Sequence, residues 1–383
     1  MRGPVAEALG TEVDAVALEA LRQARGVVDP VMRGAVDSLP GRMRLISAYH
    51  LGWVEADGKP REAGGNGAGG KLLRPGLVFA AATAVAGAEF EPEFGPELGP
   101  ELGPEFEPEP GTGLVQDRTT AGFGRAVLAA AAAVELAHNF TLLHDDVIDR
   151  DRTRRHRPTA WTVFGTENAI LAGDAMLALA LRLVGGEAAN RLADCVMEIC
   201  EGQYEDCAFE QRDDVTLDEC LAMAAKKTGA LLGCACALGG LAAGAEPGAV
   251  AALDRFGREI GMAFQLTDDL LGIWGDPATT GKPVGSDLAA RKKSLPVVSA
   301  LSTTSGAARE LAGLYALSRD FTEQELQRAA QAVERAGGRA WAGDEASARV
   351  AKAHACLGEA PGINQAAVRD LHAIADLITR RTF

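Results

Sequence analysis

Residues 125–151 read RAVLAAAAAVELAHNFTLLHDDVIDRD: an apolar run on every helical face, closed by four carboxylates within seven positions. The spacing predicts a helix over 125–145. It should be buried all round, because a helix apolar on every side has no face to offer to water. On such a helix Asp145 and Asp149 lie on one face, about 6 Å apart. Asp146 points roughly 100° away, and Asp151 falls beyond the helix end. Like charges this close repel one another, and they persist either on a solvated face or around a cation.

The rest of the chain is patterned in the same way. Helices are predicted over 166–186, 190–211, 216–243, 247–274 and 294–303. The last residues, INQAAVRDLHAIADLITRRTF, place Val368, Leu371, Ile374, Ala375 and Ile378 on one face of a closing helix. Period-2 alternation is hard to find, so the fold class is all-α. Two segments depart from it. EFEPEFGPELGPELGPEFEPEPGTG (89–113) is too rich in Pro for helix and too acidic to bury. It reads as a disordered acidic insertion, either a tolerated low-complexity loop or a docking segment for a protein partner. EAGGNGAGG (62–70) is a second flexible segment.

Composition narrows the function. The chain has 383 residues, 47% hydrophobic and 24% charged, as expected of a globular protein. Its net charge of −15 argues against nucleic acid as a partner. Eight Glu in 89–110 carry about half of that charge and leave −7 on the rest. The seven Cys have no zinc-type spacing and read as small core residues in a reducing compartment. With no run of 18 apolar residues and no signal-type N-terminus, a cytoplasmic protein without a membrane span is expected.

A second acidic pair alters the meaning of the first. In FQLTDDLLGIWGDPATTGKPVGSD (264–287), Asp268 and Asp269 again follow an apolar helical run. Buried helices rarely end twice in paired carboxylates unless the ends hold cations. Carboxylate pairs of this kind suit Mg²⁺, which takes oxygen ligands and leaves room for a phosphate. Basic residues accompany them: Lys71 and Arg74 in GGKLLRP, Arg154 and Arg155 in TRRHRP, then Lys227, Lys282, Lys292 and Lys293. Together they describe a site for diphosphates.

Seven blocks in order, GGKLLRP, HNFTLLHDDVIDRDRTRRHRP, GDAML, EGQYED, KKTGALL, the 264–287 stretch and RKKSLP, resemble the trans-isoprenyl diphosphate synthases, the polyprenyl synthetase family. The resemblance implies a single all-α domain over 1–383, a helical bundle around a deep apolar cavity, and a homodimer. It implies head-to-tail condensation of isopentenyl diphosphate with an allylic diphosphate, dependent on Mg²⁺. Asp145, Asp149 and Asp268 are then the metal ligands, supported by Asp146 and Asp269. Arg154, Lys227 and Lys282 would serve the allylic diphosphate, with Lys292 beside them. Lys71, Arg74, His138 and Arg155 would serve the isopentenyl diphosphate. Gln265 and the Thr228 backbone would face the allylic cation, and Gln203 and Asp206 would line the metal site through water. His144 is assigned a structural role.

Chain length is implied by Phe140 and Thr141, five and four residues before Asp145. An aromatic at the first, a small residue at the second and an uninterrupted DDxxD resemble the geranylgeranyl (C20) pattern, with farnesyl or longer products as the alternative. One departure stands out: the second motif ends in Gly272, where the family has a third Asp. That keeps a non-catalytic, synthase-binding subunit in view. A terpene cyclase would need an Asn-Asp-x-x-Ser-x-x-x-Glu motif, which is not found here.

Overall fold

A computed structural model describes residues 4–61, 73–87, 120–276, 284–358 and 360–379. The segment 62–70 that reads as flexible in the sequence, the 89–113 insertion, Lys71 and Lys282 lie outside the described residues.

The architecture is helical. The central helix is Thr120–Ile148, longer at both ends than its apolar run predicts. Every residue from Ala126 to Ala137 is buried, including the charged Glu135. The uniform Ala, Val and Leu surface explains this, since small side chains allow neighbours to approach from all sides. Thr166–Val184 packs most extensively against it, and Leu73–Ala86 and Pro4–Asp37 cover other faces. Gly186–Glu210, Pro247–Trp274, Leu295–Leu301 and Arg369–Thr379 follow the predicted spans closely. Leu371, Ile374, Ala375 and Ile378 are buried as the closing pattern requires, and Val368 is buried just before that helix begins.

One predicted helix, 216–243, proves to be three pieces. Leu217–Ala224 and Ala230–Ala242 are α-helical, and Ala225–Gly229 is a π-helical turn. A π turn inserts a residue into the i→i−4 ladder and is a recurrent feature of functional sites. Among the described residues the only β-ladder is a two-stranded one, Thr153–Arg154 against Arg157–Pro158.

The chain divides into two compact units. The first comprises Met1–Val196, Cys234–Asp254 and Glu359–Ile374; the second comprises Met197–Gly233, Arg255–Gly358 and Ala375–Phe383. In the second, Leu295–Leu301 packs on Gly338–Gly358, and Leu266, Leu270, Leu295, Val298 and Ala342 share one apolar cluster.

Gly124–Ile148 and Leu217–Ala242 are long and apolar enough to cross a membrane. Their most apolar windows are 83% and 67% buried within the fold, which is the behaviour of core helices. The cysteines correct one expectation. Four are buried, but Cys200 is exposed and Cys207 and Cys356 are partly so. Cys200 and Cys207 lie off the apolar face of Gly186–Glu210, a position that their residue type alone does not reveal.

Candidate active site

Each unit carries a cleft lined by acidic and basic side chains. In the first unit the cleft is bounded by Tyr49, His50, Asp146, Arg154, Arg155 and Arg157. The central helix delivers the carboxylates. Its ladder continues one residue past Ile148, because the Asp149 amide donates to the Asp145 carbonyl at 2.8 Å. Asp145 and Asp149 therefore stand one turn apart, and Asp149 is exposed. Asp146 turns inward as its helical phase requires. It is 1% exposed, and Arg154 Nε donates to its Oδ1 at 2.7 Å. Burial pushes the Asp146 carboxyl up to about 6 despite the Arg154 guanidinium. Its Oδ2 is buried without a hydrogen-bond partner.

The arginines come from the β-ladder that follows. Its two-residue turn, Arg155–His156, has φ of 51° and 61°. Such turns favour Asn and Gly, and two side chains held in the left-handed region store strain of the kind found at functional sites. Arg157 fixes the ladder by stacking on Tyr49 at 4.2 Å and donating to the Tyr49 and Val54 carbonyls. Tyr49 in turn donates its hydroxyl to the Pro158 carbonyl.

Behind this cleft lies a buried ionic group. Glu135 is 4% exposed, in the field of Arg74 and Arg155, and its Oε1 accepts from Asn139. Burial drives the His138 imidazole well below its usual range, and Arg74, Arg155 and Arg154 push it further. His50 is held down to about 3 by burial and then by Arg154 and Arg155. Both rings are thus neutral at pH 7. His144, assigned a structural role, wedges against Thr166–Val184. A Cβ on Gly173 would land 2.5 Å from its Cδ2 and closer still to its Nε2, which lies 3.1 Å from the Ile170 carbonyl. Phe140 meets that ring edge-on at 4.8 Å, and Thr141 bonds back to the His138 carbonyl.

The second unit's cleft is lined by Asp206, Cys220, Lys227, Gln265, Asp269 and Lys292, among others. The π turn presents Lys227 and Thr228. Its backbone is gripped closely on two sides. A Cβ on Gly202 would sit 2.6 Å from the Lys227 amide nitrogen, and one on Gly261 would sit 2.6 Å from Gly229 Cα. Lys227 Nζ donates to Asp206 Oδ2 at 2.6 Å. Thr228 Oγ1 donates to Gln265 Oε1, Gln265 Nε2 donates to Asp269 Oδ1, and the Leu295 amide donates to Asp269 Oδ2. Both oxygens of Asp269 are therefore engaged, and it braces the helix that presents Asp268. Gln265 Oε1, expected to face the allylic cation, accepts from the Thr228 hydroxyl.

Burial alone would lower the Lys292 ammonium. The carboxylates of Asp269, Asp287, Asp206 and Asp268 outweigh that and raise it above the usual lysine range. Lys293 also lines this cleft, and its Nζ donates to the Phe209 carbonyl near the end of Gly186–Glu210. Gln203 Nε2 contacts Cys207 Sγ at 3.6 Å.

Among the described residues no three His, Cys, Asp or Glu side chains form a ready-made metal cage. An all-oxygen set with orphaned Asp146 Oδ2 suits Mg²⁺, which is commonly held by one or two carboxylates plus substrate phosphates. Three residues in or beside these clefts carried no assignment in the sequence. His50 and Glu135 match no spacing, and the only hint was a Glu inside an otherwise apolar run. Asp287 closes one of the quoted blocks without a role.

A family profile described as polyprenyl synthetase matches residues 65–333. A geranylgeranyl diphosphate synthase of Mycobacterium tuberculosis is 44% identical over 371 residues, 94% of this chain and 93% of that protein. A (2E,6E)-farnesyl diphosphate synthase of Mycobacterium bovis is 41% identical, over 87% and 85% of the two chains. The crystal structure of a polyprenyl synthetase from Streptomyces coelicolor superposes with a TM-score of 0.80 at 37% identity, covering 94% of this chain and 98% of that one.

Proposed function

The chain belongs to the polyprenyl synthetase family, and we propose that it elongates allylic diphosphates with isopentenyl diphosphate to the C20 product, geranylgeranyl diphosphate. It is a prenyltransferase. What supports the C20 reading is Phe140, buried five residues before Asp145, beside the small Thr141. A relative named geranylgeranyl diphosphate synthase that aligns over 94% of this chain agrees with it.

Asp145, Asp149 and Asp268 would hold Mg²⁺, which when bound neutralises the charge of a departing diphosphate. Lys227, Arg154 and Lys282 would carry positive charge toward the allylic diphosphate, and Lys292 offsets the acidic set around Asp269. Arg74, Arg155, Lys71 and neutral His138 take the isopentenyl diphosphate. Their guanidinium and imidazole N–H groups donate, and Glu135 keeps the two arginines from repelling each other. The π turn and Gln265 fix one another through the Thr228 hydroxyl, so the polar groups nearest the allylic carbon are preset. The proton released in the last step leaves with the pyrophosphate, which requires no separate base.

The chain is proposed to act as one synthase domain over 1–383, since the matched residues 65–333 draw on both units. It is proposed to work as a cytoplasmic homodimer. Exposed Ile148, Val163, Ile170 and Leu171 offer apolar surface for a second copy, and cysteines not joined in disulfides suit a reducing compartment. The 89–113 insertion is the candidate contact for a protein partner. Incubation with Mg²⁺, isopentenyl diphosphate and each allylic primer, followed by product sizing by mass spectrometry, tests the reading. A dominant C20 product is expected, and a C15 product would overturn the chain-length assignment.

A further inference from the structure

We infer that Asp287 supplies the carboxylate that the second acidic motif lacks at Gly272. The motif lies in Pro247–Trp274, where Asp268 and residue 272 are four apart and share a helix face. A side chain at 272 would start one turn beyond Asp268, and Gly leaves that space empty. Asp287 fills it. A Cβ built on Gly272 would lie 2.5 Å from Asp287 Cγ and 2.9 Å from its Oδ1, with Oδ2 closer still. No residue with a side chain fits at 272 while Asp287 stays in place.

The local chain is built to hold that carboxylate there. Asp287 sits in the short helix Ser286–Ala289, entered through Gly285 at φ 74°. Its carbonyl accepts from the Lys292 amide at 2.9 Å, and Ser286 Oγ lies 3.5 Å from the Gly272 carbonyl. Its charge reaches the acidic set, raising Asp269 together with the larger effect of burial, and raising Lys292 together with Asp269, Asp206 and Asp268. Lys292 lies 3.9 Å from Asp269, and Lys227 pairs with Asp206. Carboxylates gathered this closely favour a divalent cation, whose hard oxygen preference Asp287 meets. The glycine is thus no sign of decay in the motif. Its carboxylate comes from the following segment, and Gly272 is what allows that segment to close on the helix.

A purely structural Asp287 would pack and pair with Lys292 without touching metal affinity. The inference rests on the family reading, so its test measures ligand binding rather than turnover. Titration calorimetry of inorganic pyrophosphate with and without Mg²⁺ is made on the full chain and on two variants, each checked for helical content and melting. The unaltered chain should bind pyrophosphate more tightly with Mg²⁺. Asp287→Asn keeps the shape and removes the charge, and should weaken the Mg²⁺-dependent binding by about 10- to 100-fold. The exchange Gly272→Asp with Asp287→Gly returns a carboxylate to the same space from the helix side, and should restore binding to within a few-fold. Unchanged Mg²⁺-dependent affinity in Asp287→Asn would overturn the inference and leave the family reading standing. Should Asp287→Asn fail to fold, the exchange decides alone, and a folded exchange variant without tight Mg²⁺-dependent binding refutes the inference. Absence of any Mg²⁺ effect in the unaltered chain would instead overturn the reading on which it depends.

Discussion

Arg154 and Asp146 form an ion pair in which the carboxylate is almost wholly inside and the guanidinium only partly so, with side-chain exposures of 2% and 30%. The asymmetry predicts asymmetric mutants. Arg154→Ala leaves a buried carboxylate without its cation and should cost about 3 kcal/mol. Asp146→Asn keeps an acceptor for Arg154 Nε and should cost about 1 kcal/mol. Urea unfolding of both variants checks the order, and an equal loss would mean that the pair is not held as described.

The π turn makes a second prediction. Gly261 and Gly202 each meet its backbone at distances that leave no room for a Cβ. Gly261→Ala should therefore displace Thr228 and Lys227 rather than simply fill space. The expected result is a rise in KM for the allylic diphosphate of about ten-fold, with KM for isopentenyl diphosphate nearly unchanged. A stability loss of about 1–3 kcal/mol should accompany it. Equal effects on the two substrates would contradict the assignment of the turn to the allylic side.

Much of this was legible in the sequence, for physical reasons that differ by residue. The buried central helix followed from an apolar run on every face, and the Asp145–Asp149 pairing followed from helical spacing alone. The π turn was not legible, because KKTG fits an α-helix equally well and only packing against Gly202 and Gly261 favours the inserted residue. His50 stands 89 residues before Asn139 and joins it through tertiary packing, which leaves no periodic mark. Asp287 was hidden for a similar reason. The departure at Gly272 was visible as a missing group, while its compensation 15 positions later required the fold.

His50 gives the chain a pH-dependent weakness. Its folded value near 3 lies below the unfolded value near 6.5, so the unfolded chain binds its proton first as pH falls. Stability is full above pH 6.5 and is lost progressively below it. Between pH 7.5 and 5 this one ring should cost about 2 kcal/mol. His50→Gln cannot titrate, and its unfolding free energy should fall by that much less over the same range. Parallel pH profiles for the two proteins would show that His50 is not buried among Arg154 and Arg155.

Metal removal separates the carboxylates by role. Asp145→Ala and Asp268→Ala should each remove most turnover at any practical Mg²⁺ concentration, since each deletes a proposed ligand. Chelator should abolish activity in the unaltered enzyme and added Mg²⁺ should restore it. Asp269→Asn should behave differently. Its oxygens are taken by Gln265 and Leu295, so it should chiefly lower stability, by about 1–3 kcal/mol. A folded Asp268→Ala enzyme with near-normal rates would remove the second motif from the metal site.

On the proposed reading, product length depends on what stops the growing chain along the central helix. Phe140 is 6% exposed, about 7.5 Å before Asp145 along the axis, and its edge rests on His144. His144 is itself held against Gly173, so the aromatic is backed by a rigid stack rather than by mobile side chains. A stop of that kind should not yield to a growing prenyl tail. Phe140→Ala removes the proposed stop and should shift products beyond C20, at a stability cost of about 3 kcal/mol from the cavity left behind. Thr141→Phe should act in the opposite direction. Thr141 is half-buried one position nearer the acidic motif, and an aromatic there places the barrier earlier and should favour C15. Products sized by mass spectrometry from both variants test the two directions at once. If the unaltered enzyme makes C20 and Phe140→Ala does not lengthen the product, the floor lies elsewhere and Phe140 serves only to seat His144.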